Sequence, residues 1–227
     1  MNNSSLMRWG GLASIGVGLC SLLYGILYVA LVVLAPKVDT ATSLVSSGIQ
    51  ITNLLLALSG LFGLFAVITI FQRVSTGNEG WARVALWFGM FGALLGGLHG
   101  WSDLVRNPIL AAAFGQTDSA PAANLLANLP SSVDPRGIGT FAFTGVFFLV
   151  LAGLLRSVNG IPGRLASATM LGGVLLEIIF IGTVLYSGGD GIAVARYLFL
   201  VAGPIQSVIV GPIVYIWLGM LLRQGIT

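Results

Sequence analysis

The sequence predicts an all-α membrane protein, a polytopic bundle of six transmembrane helices in a single integral membrane domain. Of its 227 residues, 56% are hydrophobic and only 7% are charged, and the mean hydropathy is +0.99. Soluble domains carry about 25% charged residues. A helix needs about 20 apolar residues to cross the hydrocarbon core of a bilayer, and the chain contains six runs of this kind.

The predicted spans comprise residues 11–35, 47–71, 81–101, 138–155, 165–186 and 192–222. The first follows the polar segment MNNSSLMRW. It is longer than the roughly 7–15 apolar residues of a signal-peptide core, so we expect it to be retained. The sixth is too long for a straight span and contains Pro204 and Pro212, which predict a bent or partly interfacial helix.

Residues 102–137, between the third and fourth spans, form the longest predicted loop. Within it, NPILAAAF and APAANLLANLP are apolar but too short to span a bilayer. Such segments favour short helices that lie in the membrane interface or cap the bundle.

Basic residues are distributed unequally between the two sides that alternating spans define. The side of the amino terminus carries six, with Glu79 as its only acidic residue: Arg8, Arg73, Arg83, Arg156, Arg164 and Arg223. The opposite side carries four basic and five acidic residues: Lys37, Arg106, Arg136, Arg196, Asp39, Asp103, Asp118, Asp134 and Asp190. The positive-inside rule therefore predicts that both termini are cytoplasmic.

Glycine, with 32 copies, is expected to bring the helices close together, because lipid provides no hydrophobic drive for helices to associate. The third span has two ladders of small residues at i, i+4 spacing, one with Gly89, Ala93 and Gly97 and the other with Gly92, Gly96 and Gly100. We expect this span to be approached from two sides and to lie centrally. Contact between copies in a homo-oligomer is the alternative use of such faces.

A faint internal repeat is also present. Residues 10–28 and 163–186 share an opening GxLAS and a closing tyrosine, and the even-numbered spans end with Arg73, Arg156 and Arg223. Three repeated helical hairpins would explain both patterns. Chance similarity within the small alphabet of membrane sequences is the alternative.

The stretch GGLHGWSDLVRNP contains the only histidine of the chain. In a helix, His99, Asp103 and Arg106 lie on one face, because they are four and three residues apart. Asp103 could then accept hydrogen bonds from both His99 and Arg106. The trio is either a ligand- or proton-binding site or a helix end stabilised by local ion pairs.

Glu177 lies in the middle of the fifth span, within GGVLLEIIFIG. A carboxylate at this depth costs roughly 2.5–3.5 kcal/mol on insertion scales. We therefore expect Glu177 to face the bundle interior and to have a polar partner. Arg196 is the nearest cationic candidate along the chain. The alternatives are a structural role and a role in ligand or proton binding.

Other polar residues fall at similar depths. Gln50 and Asn53 lie in the second span and Gln206 lies near the middle of the sixth. With His99, Glu177 and Arg196, they are expected to line one outward-opening cavity. This convergence, inferred from depth alone, is the main functional prediction.

Several classes of function lack the residues they require. One histidine and one cysteine cannot supply a four-ligand zinc site, and no metal site or catalytic residue is predicted. No strained Ser-Gly motif or GxxxxGK[ST] loop occurs, so enzymatic activity is not expected, and no cofactor is indicated. The scattered basic residues cannot track a phosphate backbone, which excludes nucleic acid as an expected partner.

The short amino-terminal tail, the glycine-rich spans and the ending GPIVYIWLGMLLR resemble uncharacterised six-span bacterial inner-membrane proteins. This resemblance covers the general layout and no specific motif. It implies a location in the inner (plasma) membrane and no functional residue.

Two hypotheses about function remain open. In the first, the protein binds a small molecule, lipid or proton in an outward polar cavity as part of transport, and the prolines of the sixth span permit a broken or moving helix. In the second, it is an accessory or structural subunit of a larger membrane complex or a homo-oligomer. The lipid bilayer surrounds the protein in both.

Overall fold

Six helices that are long and apolar enough to cross a membrane make up the protein, which confirms the predicted fold class. The computed structural model describes residues 3–34, 46–114, 133–187 and 200–224. The helices are α1 (Asn3–Tyr28, continued by a π-helical turn Val29–Val33), α2 (Ser47–Val74), α3 (Glu79–Phe114), α4 (Ile138–Ser157), α5 (Gly163–Ser187) and α6 (Leu200–Gln224).

Polar side chains satisfy backbone groups where helices begin. Ser46 accepts a hydrogen bond from the amide of Ile49 at the start of α2, and the Asn78 side chain accepts one from the amide of Trp81 at the start of α3. Glu79 and Arg83 form an ion pair one turn apart in α3, with 2.7 Å between oxygen and nitrogen. Asn78 thereby caps α3 directly after the short connection from α2, because the first amides of a helix have no partner within it.

Helix α3 is longer than its predicted span. It continues from Trp101 through Pro108 to Phe114, so NPILAAAF belongs to this helix, and the prediction of a separate short helix there was wrong. The polar residues after Trp101 pair along one face and leave the helix intact, and exposed apolar residues, Val105 and Ile109, follow on its surface. The second segment, APAANLLANLP, lies outside the described residues.

Helix α6 contains an irregularity where its sequence predicts one. Between Pro204 and Gly211 the backbone forms a π-helical segment, Ile205–Val210, which is followed by regular helix Gly211–Gln224. Both prolines lack an amide proton, and π-helical turns accommodate such interruptions. Residues 192–199 of the predicted span lie outside the described residues.

The six helices form a ring in chain order. Each helix packs against the next one in sequence, and α6 packs against α1. Helix α3 contacts α2 on one side and α4 on the other; it is therefore a member of the ring, and the expected central position was wrong. Within the described residues the α5–α6 contact is the least extensive of the six. The threefold hairpin repeat stays a prediction.

Glycines provide the close approach between neighbouring helices. The small residues of α3 face two partners: Gly97 and Gly100 meet the backbone of α2, whereas Gly92 and Gly96 meet Thr144 and Thr140 in α4. The approach of α2 to α3 is so close that a Cβ atom added to Gly60 would overlap Gly97 Cα and lie 2.7 Å from the carbonyl oxygen of Ala93. The two predicted faces are thus used within one chain.

Helices α1 and α6 close the ring through glycines and serine hydroxyls. The Ser14 hydroxyl donates to the carbonyl of Tyr215 at 2.6 Å, and the Ser21 hydroxyl donates to the carbonyl of Ser207 at 3.2 Å. The second bond has a clear cause. The amide of Gly211 bonds to Gln206, and Pro212 has no amide proton, so the Ser207 carbonyl has no backbone donor and Ser21 replaces it.

The two ends of the bundle differ in packing. We call the end with Arg8, Arg73, Arg83, Arg156, Arg164 and Arg223 the arginine end, and the opposite end, where His99 lies, the histidine end. Nearer the arginine end, fully buried apolar side chains fill the ring, among them Ile70, Leu151, Leu155, Leu165 and Val214. Nearer the histidine end, the described helices enclose open space. The described part of the interior is therefore solid on one side and hollow on the other.

We predict that Gly60→Ala destabilises the protein by about 1–3 kcal/mol, because the new methyl group meets backbone atoms of α3 that cannot turn aside. Gly153→Ala in α4 is the matched control, since nothing lies within 4 Å of its added Cβ atom. Thermal unfolding in detergent measures both. Equal stability of the two variants would show that α2 and α3 are not in this close contact.

Candidate functional site

Two adjoining chambers occupy the hollow half of the ring. The end chamber, of about 410 Å³, lies at the histidine end. The central chamber, of about 160 Å³, lies deeper between the helices. They share four lining residues, namely Tyr24, Leu56, Thr140 and Phe141. Because all six helices contribute to the two walls, the chambers are a property of the closed ring.

The end chamber combines an apolar wall with two basic side chains. Its described lining includes Tyr24, Tyr28, Leu56 and Phe141, with hydroxyl groups from Thr140 and Thr183 and the side chains of His99 and Arg136. No acidic residue occurs among the described residues that line it. Its volume falls within the range of about 300–1,000 Å³ that is typical of small-molecule sites.

The central chamber is lined by glycines, apolar residues and uncharged polar groups. Glycines of α2 and α3 form one wall, and polar side chains of α1, α4 and α6 form others. Phe148, which is fully buried, separates it from the solid half. Among the described lining residues none carries a charge, as expected at a depth where ions are costly.

A turn anchored by Asp134 shapes the wall of the end chamber. The buried carboxylate of Asp134 accepts hydrogen bonds from the amides of Gly139 and Thr140, at 2.7 and 3.0 Å, and from the Thr140 hydroxyl. It thereby caps the first turn of α4. Between cap and helix, Arg136 and Gly137 both have left-handed backbone angles, φ 58° and 74°. Such a conformation is costly for arginine, and it directs the chain along the chamber wall.

The same turn positions His99. Its Nδ1 atom lies 2.7 Å from the main-chain oxygen of Asp134, which also accepts from the amide of Gly137. A carbonyl oxygen can only accept a hydrogen bond, so Nδ1 must carry the proton and donate it. In a neutral His99 the other ring nitrogen, Nε2, therefore holds a lone pair. The sequence predicted Asp103, and not Asp134, as the partner of His99.

Asp103 faces that second nitrogen. Its Oδ2 atom lies 3.6 Å from His99 Nε2, and its Oδ1 atom lies 3.9 Å from Arg106 Nη1. The predicted trio therefore shares one face of α3, but these are ion-pair distances, longer than hydrogen bonds. A lone pair opposite a carboxylate is unfavourable unless a proton, water or cation lies between them. The His99–Asp103 pair borders the end chamber through His99.

Glu177 lies in a different place from the one expected. Its Oε1 atom is buried against Gly145, where the two helices α4 and α5 touch, and has no hydrogen-bond partner among the described residues. Glu177 is not among the described residues that line either chamber. The expected partner Arg196 lies outside the described residues, and Gln206 belongs to the central chamber. A role of Glu177 in proton binding stays a prediction.

Of the remaining predicted residues, some line a chamber and others line neither. Gln206 lines the central chamber and His99 lines the end chamber. Asn53 lies where α2 meets α3, beside Gly100, with its amide nitrogen buried and lacking a partner. Gln50, in the first turn of α2, is not among the described lining residues.

Sequence reasoning missed several lining residues. Tyr28 lies near the end of its span, where tyrosine commonly anchors a helix in the membrane interface, yet it lines the end chamber. Trp81, Trp87 and Trp101, by contrast, are strongly exposed on the ring surface. Asp134 could have been found, because an aspartate directly before a proline is a typical start of a helix. Nothing in the sequence distinguishes Tyr24 or Leu56 from their neighbours.

The fold and the chambers define a class of protein, a six-span integral membrane protein with an internal cavity at one end. A scan against protein-family models, a search of curated proteins and a search of solved structures each found no match. The chambers are therefore the feature that indicates a function. No group of three or more histidine, cysteine or acidic residues that could hold a metal ion occurs in the part of the chain that the structure describes.

We predict that Asp134→Ala loosens the start of α4 and costs about 1–2 kcal/mol, because two amides and a hydroxyl lose their acceptor. Hydrogen exchange should show faster exchange of the Gly139 and Thr140 amides. Asp134→Asn retains one acceptor oxygen and should keep most of the protection. Unchanged exchange in the alanine variant would mean that Asp134 does not organise this turn.

Proposed function

We propose that the protein binds a small molecule in the two chambers and transfers it from the outer side of the membrane. One observation carries this proposal: the ring is hollow from the end chamber to Phe148 and solid from there to the arginine end. The proposed entry is therefore at the histidine end, since buried side chains of the described helices close the arginine end. This is the arrangement of a binding site accessible from a single face.

The lining supports binding of a ligand larger than a proton. Aromatic and aliphatic groups provide most of the end chamber's surface, and a few polar groups at fixed positions, His99 and Thr140 among them, can orient what enters. Such a mixture is the usual composition of small-molecule sites.

The irregular part of α6 supports movement. The π-helical segment Ile205–Val210 lies between two prolines and forms part of the central chamber's wall. Interrupted helices of this kind recur at the substrate sites of transporters. Since α5 and α6 share the least extensive described contact of the ring, a displacement of α6 costs less packing there than elsewhere.

The positive-inside rule places the arginine end in the cytoplasm, so the end chamber is proposed to open outward. In a Cys20→Ser background, we expect Val133→Cys to react with a membrane-impermeant thiol reagent added outside intact cells. Asn159→Cys, in the connection between α4 and α5, should react only after the cells are opened. Both residues are exposed. Labelling in the reverse order would overturn the orientation.

A bulky side chain at the junction of the chambers should block binding. Leu56 borders both chambers, whereas Leu54, two residues earlier on α2, is 43% exposed on the ring surface. We expect native mass spectrometry of the protein, gently extracted from its own membrane, to detect a bound small molecule. This species should be lost in Leu56→Trp and retained in Leu54→Trp.

The accessory-subunit hypothesis gives a different result in this experiment. If the chambers serve only to shape the bundle, both tryptophan variants behave alike and no small molecule depends on Leu56. Other proteins, or further copies of this chain, would then accompany both variants equally. That outcome would reject the ligand-binding proposal.

A further inference from the structure

Gln206 belongs to the π-helical segment of α6 and lines the central chamber, and its hydrogen-bonding groups are not used by the described residues. The residue is only 8% exposed, and its Oε1 atom is buried without a partner. Within the described parts of the chain, no hydrogen bond satisfies its carboxamide. An amide left unpaired in an apolar membrane interior is costly, so something that is not part of the described chain is expected to pair with it.

The groups around Gln206 limit which chemical groups could pair with it. Ser59, Thr144 and Tyr215 contribute further hydroxyl groups to the chamber. The Ser21 and Ser207 hydroxyls already donate to carbonyl groups of α6, so toward the chamber they can only accept. No charged residue occurs among the described lining residues. A charged ligand group would therefore be buried at mid-membrane with no counter-charge, which is strongly unfavourable.

A carboxamide offers a donor and an acceptor side by side in one plane. The group that satisfies both at once must carry an acceptor and a donor in the complementary arrangement, as another carboxamide does. We propose that the central chamber binds an uncharged carboxamide-type group, held by paired hydrogen bonds to Gln206. This inference rests on the proposed function and specifies the inner end of the ligand.

The rest of the ligand extends toward the histidine end. Tyr24, Leu56 and Phe141 belong to both chambers, so a group bound at Gln206 leaves the central chamber between these side chains. The apolar wall of the end chamber then accommodates a hydrocarbon portion. The ligand is accordingly an amphipathic amide with its polar end directed inward.

Decanamide and 2-undecanone test the inference as a matched pair, because a methyl group in the ketone replaces the amide nitrogen. The ketone keeps the acceptor and loses the donor that Gln206 Oε1 requires. We expect the wild-type protein in lipid nanodiscs to bind decanamide about tenfold more tightly, measured from the rise in Tm at equal ligand concentrations. Equal affinities for the two probes in the wild-type protein would overturn the proposal without reference to any variant.

Gln206→Met provides the second arm, since methionine has a similar shape and neither donates nor accepts strongly. We expect this variant to lose the preference for decanamide, while Leu54→Trp retains it. If Gln206→Met raises Tm and leaves the discrimination unchanged, the chamber pairs Gln206 only with water, and the inference fails.

The two proposals fail separately. If the co-purifying small molecule is lost in Leu56→Trp but remains bound to Gln206→Met with unchanged affinity, ligand binding stands and the carboxamide inference is wrong. If Leu56→Trp and Leu54→Trp behave alike, ligand binding itself is wrong.

Discussion

The contact between the first and last helices holds the rest of the structure in place. A ring built in chain order is closed only where α6 meets α1, and in lipid this contact receives no help from the hydrophobic effect. Close approach at Gly11 and Gly219 and the hydroxyl donors Ser14 and Ser21 provide the attraction instead. If these two helices separated, the chambers would become an open groove filled by acyl chains.

Hydroxyl groups donate to carbonyl groups of their own helices in both halves of the ring, as Thr183 does beside the end chamber, but the hollow half also holds polar side chains without such bonds. In the solid half, Thr69 and Thr169 donate to the carbonyl groups of their own helices, at 2.9 and 2.8 Å, and need nothing else. In the hollow half, Gln206 and the His99–Asp103 pair keep hydrogen-bonding capacity that the described chain does not use. This contrast matches a division of labour in which one half provides rigidity and the other provides recognition.

The number and the approximate ranges of the spans could be predicted from the sequence, but direction around a helix axis could not. Counting along apolar runs located all six spans. Which side chains face the interior depends on the order and rotation of the helices, and Glu177 turned out to face Gly145 in α4. The same limit explains why Tyr24 and Leu56 were missed. Hydropathy likewise ended the third span at Trp101, where polar residues begin, although the helix continues to Phe114.

Ring closure also imposes an order of events on the synthesis of the protein. The hydrogen bond from Ser14 to Tyr215 joins residues 201 positions apart, so α1 enters the membrane long before its partner is translated. During that interval the glycine face and the serine donors of α1 are exposed to lipid and to other nascent helices. Helix α6 therefore completes the ring. The intermediate with five inserted helices is the stage at which incorrect helix pairing is most favoured.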